Sequence, residues 1–179
     1  MKLLILFGPP SVGKTTVGKI IEAKSDFKLF HNHMIMDGVM HLFGVGTPAE
    51  DRLSRLIRES VIKEAAVAGM NLIFTYVWDF GREKGKANID SYKTAYEHMG
   101  GEVIFVELIA PLSVRAARAA DPMRNAEKKY APNEERVRAL EGAHNFMSPA
   151  PFYYQNYTKI DTEDKAPEVI AEEVLRLIL

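Results

Sequence analysis

Gly8 to Thr16 reads GPPSVGKTT, directly after the apolar run LLILF (Leu3–Phe7). The nonapeptide fits the Walker A pattern G-x-x-x-x-G-K-[ST], in the required setting of a strand-like run before it and a helix-like Lys14–Lys24 after it. Gly8 and Gly13 allow backbone conformations that a side chain would block. The loop through Pro9 and Pro10 can then turn the N–H groups of Ser11, Val12, Gly13, Lys14, Thr15 and Thr16 into one concavity. A helix N-terminus facing that concavity favours phosphate oxygens. Lys14 is placed to reach terminal phosphates, and the Thr15 hydroxyl to ligate Mg²⁺. The motif therefore predicts a P-loop and binding of ATP with Mg²⁺.

Outward from this loop, strand-like and helix-like stretches alternate. Strands are expected at Lys2–Phe7, Lys28–His31, Leu72–Trp78, Val103–Ala110 and Tyr157–Ile160. Helices are expected at Lys14–Lys24, Met34–Phe43, from Thr47 to Gly69, across Ile89–Met99, at Ser113–Ala120 and from Pro167 onward. Thr47, Pro48 and Glu50 have the spacing of a capping box, and Leu53, Leu56, Ile57 and Val61 form a candidate core stripe. Residues 121–136 are charged and lack an apolar period, so they read as a mobile or loosely packed segment. The alternation predicts an α/β fold, a parallel sheet covered by helices on both faces.

Composition narrows the class. The chain has 179 residues, formal net charge −1 and no cysteine. That length predicts a single domain, residues 1–179. Thiolate metal sites, disulfides and Cys nucleophiles are excluded. A charge so near zero gives no overall basic field for nucleic acid or anionic membrane. The apolar opening is too short for a secretory leader or a membrane span. These features predict a cytoplasmic protein. The oligomeric state is left open.

The second strand runs into "LFHNHMIMD", Leu29–Asp37. Alternate strand residues share a face, so His31 and His33 are expected on one side, at the carboxyl rim where parallel sheets bind ligands. Zinc would need further ligands at diagnostic spacing, and a nuclease reading needs a ββα-metal setting that a P-loop does not provide. Two readings of the histidines stay open: strand-end residues satisfied by backbone, or groups that touch the acceptor of a transferred phosphoryl group. Arg115, Arg118, Arg124, Lys128, Lys129 and Arg136 give a cationic stretch suited to closing over nucleotide. Asp79 follows the third strand, either as a turn or cap residue or as an acid holding Mg²⁺ through water. Asp79-Phe80-Gly81 spells D-F-G, but the other protein-kinase signatures are absent.

On these residues the chain resembles the P-loop small-molecule kinases of the nucleoside-monophosphate kinase fold, and shikimate kinases most of all. The resemblance implies a three-layer α/β/α domain with five parallel strands in the order 2-3-1-4-5. It also implies an acceptor-binding subregion at 31–60 and a small lid at 118–136. In that family the second strand ends in Asp-x-Asp, and the spacing from Lys14 puts His31 and His33 there. The family's substrate arginine falls on Arg55. "ARAADPMRN" resembles the lid, with Arg118 and Arg124 as phosphate contacts. "YTKIDT" resembles the last strand and brings Asp161 and Thr162 near the adenine. The departures argue against shikimate: two histidines replace the aspartates, Tyr76-Val77-Trp78 replaces a Gly-Gly-Gly turn, and an arginine is missing near Ser148-Pro149. The implied activity is transfer of the γ-phosphoryl group of ATP to a small hydroxyl or phosphate acceptor. Lys14, His33, Arg118 and Arg124 are its candidate catalytic groups, and His31, His33, Arg55, Tyr76 and Trp78 its candidate acceptor contacts. The alternative is a nucleotide-binding regulatory ATPase module with no small acceptor.

Overall fold

The computed structural model describes residues 1–121 and 129–179. The apolar run after Met1 forms β1 (Lys2–Phe7), with Leu3 to Phe7 fully buried. Burial on both faces is what a central parallel strand requires. Four further strands are β2 (Lys28–His31), β3 (Leu72–Tyr76), β4 (Glu102–Ile109) and β5 (Tyr157–Asp161). All neighbouring pairs are parallel, and the order is β2-β3-β1-β4-β5, as the resemblance implied. Phe7 pairs with Tyr76 on one side and Glu107 on the other.

The helices among the described residues are α1 (Lys14–Lys24), α2 (His33–Phe43), α3 (Pro48–Val67), α4 (Glu83–His98), α5 (Leu112–Ala119), α6 (Glu134–Ala143) and α7 (Pro167–Ile178). Alternation along β1 splits the core in two. Leu4 and Leu6 pack with Val17 and Ile21 of α1 and Ile170, Val174 and Ile178 of α7. Leu3, Ile5 and Phe7 pack with Ile62 of α3 and Ile89, Tyr92 and Tyr96 of α4. None of these helices is long and apolar enough to cross a membrane.

Several expectations change. β3 stops at Tyr76, short of Trp78. The candidate stripe on α3 is out of phase: Leu56, Ile57 and Val61 are exposed, while Glu50, Ser54, Ile62, Ala65 and Ala66 are buried. Only the second half of α3 meets the apolar core. The first half turns a polar face inward, where the Glu50 carboxylate accepts from Ser54 Oγ at 2.9 Å. Thr47 Oγ1 accepts from the Glu50 backbone N–H at 3.2 Å. The cap is thus made, but Glu50 serves Ser54 instead of closing the box. Within 121–136, Asn133 caps α6 by accepting from Arg136 N at 2.9 Å, so the end of that segment is helical. Arg124 and Lys128 lie outside the described residues, as does the centre of the predicted lid.

Candidate active site

The loop between β1 and α1 has the backbone that its glycines allow. Gly8 has φ 144°, Ser11 63° and Gly13 108°. A Cβ on Gly8 would stand 2.1 Å from the carbonyl oxygen of Leu108, so only glycine lets β1 leave the sheet here. Lys14 Nζ donates to the Gly8 and Pro9 carbonyls at 2.8 and 2.7 Å, which holds the loop curled around its own ammonium. Ser11 Oγ is buried with no hydrogen-bond partner among the described residues. Such an atom costs stability unless a ligand satisfies it, and phosphate oxygens in this cradle would do so. The cradle therefore fits a nucleotide's phosphates.

A cavity of about 960 Å³ opens from this loop. Pro10 to Val17 line one end, with Lys165, Pro167 and Ile170. Asn32, His33, Met36, Met40, Arg58 and Tyr76 line another part, and Tyr130, Pro132, Arg136 and Leu140 complete the wall. The volume lies near the top of the range of about 300–1,000 Å³ usual for ligand pockets.

His33 is not on the strand. Asn32 has helical φ −49° and ψ −40°, so β2 ends at His31 and His33 begins α2. His33 Nδ1 meets Asp37 Oδ1 one turn on, at 2.7 Å, each side chain about one-fifth exposed. His31 stays in sheet register opposite Thr75 and does not line the cavity.

Arg58, not Arg55, reaches the cavity. Its Nε donates to Ser54 O at 3.0 Å and its Nη1 to Asn32 Oδ1 at 3.2 Å. Arg55 points elsewhere, 3.8 Å from Glu59. From sequence, Arg52 and Arg58 read as a solvated helix face and Asn32 carries no signal of its own. The available signal was the spacing Glu50, Ser54, Arg58, every fourth residue on one helical face.

Trp78 is also displaced from its expected role. It is only 1% exposed and belongs to an aromatic cluster, stacked on Phe80 at 4.8 Å and edge-on to Phe152 at 5.9 Å. Tyr76, by contrast, does line the cavity. Asp79 faces away from it. Its carboxylate accepts from Asn145 N at 3.1 Å and Gly81 N at 3.0 Å, and His144 Nδ1 lies 2.8 Å away. Burial alone would raise this carboxyl. The hydrogen bonds from His144, Asn145 and Gly81 outweigh burial and hold it below the ordinary aspartate range. Asp79 therefore ties down the chain after α6 and does not line the cavity.

The base-side residues shift as well. Thr162 is fully buried, and its Oγ1 accepts from Arg118 Nη1 at 3.0 Å. Arg118 Nη2 donates to Thr162 O at 2.6 Å and Nη1 to Val12 O at 3.4 Å. Arg118 lines the cavity but spends its donors joining the P-loop to the loop after β5, instead of standing clear for phosphate. Asp161 accepts from Glu163 N at 2.9 Å in a local turn. The cavity is lined there by Lys165, Pro167 and Ile170, not by Asp161 or Thr162.

No family model matches the chain, and no curated protein matches it by sequence. Solved structures do. A sugar kinase from Janibacter sp. HTCC2649 superposes with a TM-score of 0.66 at 16% identity, covering 99% of this chain and 94% of its own. A gluconokinase from Sinorhizobium meliloti 1021 gives 0.61 at 13% identity, covering 99% and 90%. A shikimate kinase from Acinetobacter baumannii, in complex with shikimate, gives 0.60 at 19% identity, covering 98% and 92%. The fold is that of the P-loop small-molecule kinases. Within it, His33, paired with Asp37, and Arg58 line the same cavity as the P-loop.

Proposed function

We propose that this chain is an ATP-dependent kinase that phosphorylates a small-molecule acceptor. One observation carries the reading: the P-loop and the His33–Arg58 region line one and the same cavity of about 960 Å³. A regulatory ATPase has no need of such an annex, and nothing in the site favours that alternative.

In this reading Lys14 and the loop N–H groups hold the terminal phosphates, and bound Mg²⁺, held by Thr15, would neutralise their charge. Arg58, oriented by Ser54 and Asn32, fixes an acceptor group. His33 takes the proton from the acceptor hydroxyl. The acceptor oxygen forms the new bond to the γ-phosphorus as the bond to the bridging oxygen breaks, and ADP leaves with that electron pair. Asp37 is a positioning residue: it fixes the imidazole's rotation through Nδ1.

A γ-phosphoryl transfer screen against alcohols, sugars and antibiotics tests the activity. ATP hydrolysed at one rate whatever is added would sink it. On a found acceptor, His33→Gln lowers kcat by ~10²–10⁴ while leaving the KM for ATP unchanged. Asp37→Asn lowers kcat less, and Asp37→Glu restores part of it. A His33→Gln enzyme with wild-type turnover removes the histidine from the mechanism.

A further inference from the structure

The geometry points to an acceptor with an apolar body, an alcohol built on a flat or branched hydrocarbon skeleton and not a polyol or sugar acid. The inference rests on the kinase reading and names the substrate class of that same cavity. Met36 and Met40 stand one turn apart on α2 and both line it, and Val45 just beyond the helix extends that wall. Val77 lines it from just past the end of β3, and Pro132 and Leu140 add apolar surface from the segment around α6. Thioether side chains give a surface that adapts to flat or irregular hydrocarbon.

Several of the polar atoms beside this wall already have protein partners. Asn32 Oδ1 accepts from Arg58, His33 Nδ1 is held by Asp37, and Arg58 Nε is held by Ser54 O. A polyol brings a hydroxyl to every carbon, and those laid against this wall would meet methionine, valine and leucine side chains. Each hydroxyl stripped of water without a partner weakens binding. A molecule with one reactive hydroxyl near His33, one polar group near Arg58 and hydrocarbon elsewhere loses nothing of this kind.

The test uses the full chain saturated with AMP-PNP and Mg²⁺, so that the nucleotide end is filled. The probe is 8-anilinonaphthalene-1-sulfonate, a flat apolar body with one anionic group, followed by fluorescence. One saturable site per chain is expected. Val45→Lys and Met36→Lys should weaken it by at least ~10-fold, whereas Leu56→Lys on the exposed face of α3 should not. Val45 is 59% exposed, so its variant keeps the experiment decisive if Met36→Lys misfolds. Gluconate and shikimate should not displace the probe. Absence of a saturable site, indifference to Val45→Lys, or displacement by either polyol acid overturns the inference. The kinase reading is scored separately by γ-phosphoryl transfer. Transfer to gluconate or shikimate without probe binding overturns the apolar acceptor and leaves a kinase. Probe binding with acceptor-independent hydrolysis overturns the kinase reading, and the acceptor with it.

Discussion

Replacing Asp79 separates two roles that the same residue could have. As a holder of Mg²⁺ its loss would abolish metal-dependent nucleotide binding at constant stability. As the tie seen here, its loss should destabilise the fold. The carboxylate meets His144 Nδ1 at 2.8 Å, Gly81 N at 3.0 Å and Asn145 N at 3.1 Å. Hydrogen bonds to a charged group contribute about 1.5–3 kcal/mol each. The side chain is 18% exposed, so water replaces part of this in Asp79→Ala. The Arg82 pair adds little, because that arginine is 68% exposed. We expect a loss of about 3 kcal/mol, or roughly 6–12 °C in Tm for a chain of this length. Asp79→Asn keeps one acceptor oxygen and should lose about half as much. The sign with pH follows from the depressed carboxyl. Its stabilisation is fully present above the unfolded-state value and is lost as pH falls through the lower folded-state value. The gap between wild type and Asp79→Ala in urea melts should therefore narrow on going from pH 7 to about pH 3. An Asp79→Ala protein that melts with the wild type yet no longer binds Mg²⁺–nucleotide would refute this and restore the metal role.

Two further perturbations follow from the same geometry. Gly8→Ala places a Cβ 2.1 Å from Leu108 O at φ 144°, so β1 and β4 must part at the loop. It should cost about 2–4 kcal/mol and weaken nucleotide binding at least ~10-fold by calorimetry, and wild-type affinity would refute the clash. Glu107 is only 1% exposed and accepts from Tyr157 Oη and from Ser148 Oγ at 2.8 Å, with Lys159 Nζ 3.2 Å away. Glu107→Ala strands those donors and should cost about 3 kcal/mol in urea unfolding, whereas a loss below about 0.5 kcal/mol would show the network to be replaceable by water.

The fold was legible because its signals are local. The P-loop letters lie between an apolar run and a helix, and each strand is a short buried run between turn residues. The site was legible only where chain position alone decides it. The phase of α3 was not, because the apolar residues Leu56, Ile57 and Val61 do not mark its inward face. Its first half instead buries Glu50 and Ser54 and leaves Leu56 and Ile57 outside, and Arg58, one turn on from Ser54, lines the cavity. Helix α6 gave no period because Val137 is its one buried residue. The Asp79–His144 pair joins residues 65 positions apart, a separation that no local rule reads.

The two histidines show how one backbone residue redistributes function. On a strand, His31 and His33 would have shared a face and divided the acceptor chemistry between them. Asn32 turns the chain into α2, so His31 stays with the sheet and His33 joins Met36 and Met40 on the cavity side of the helix. Positions 33, 36 and 40 are spaced i, i+3, i+7, which is one helical face. Asp37, four residues on from His33, steadies the imidazole from within the same helix. The group proposed to take the acceptor's proton and the surface proposed to select the acceptor are therefore carried by one short element. Asn32 also receives Arg58, so that element is fastened to α3 at its first turn. A change in the tilt of α2 would then move proton acceptor, polar anchor and apolar wall together. Reaction and selection in this cavity are expected to be altered jointly by substitutions at Asn32, and separately by substitutions at Asp37 or Val45.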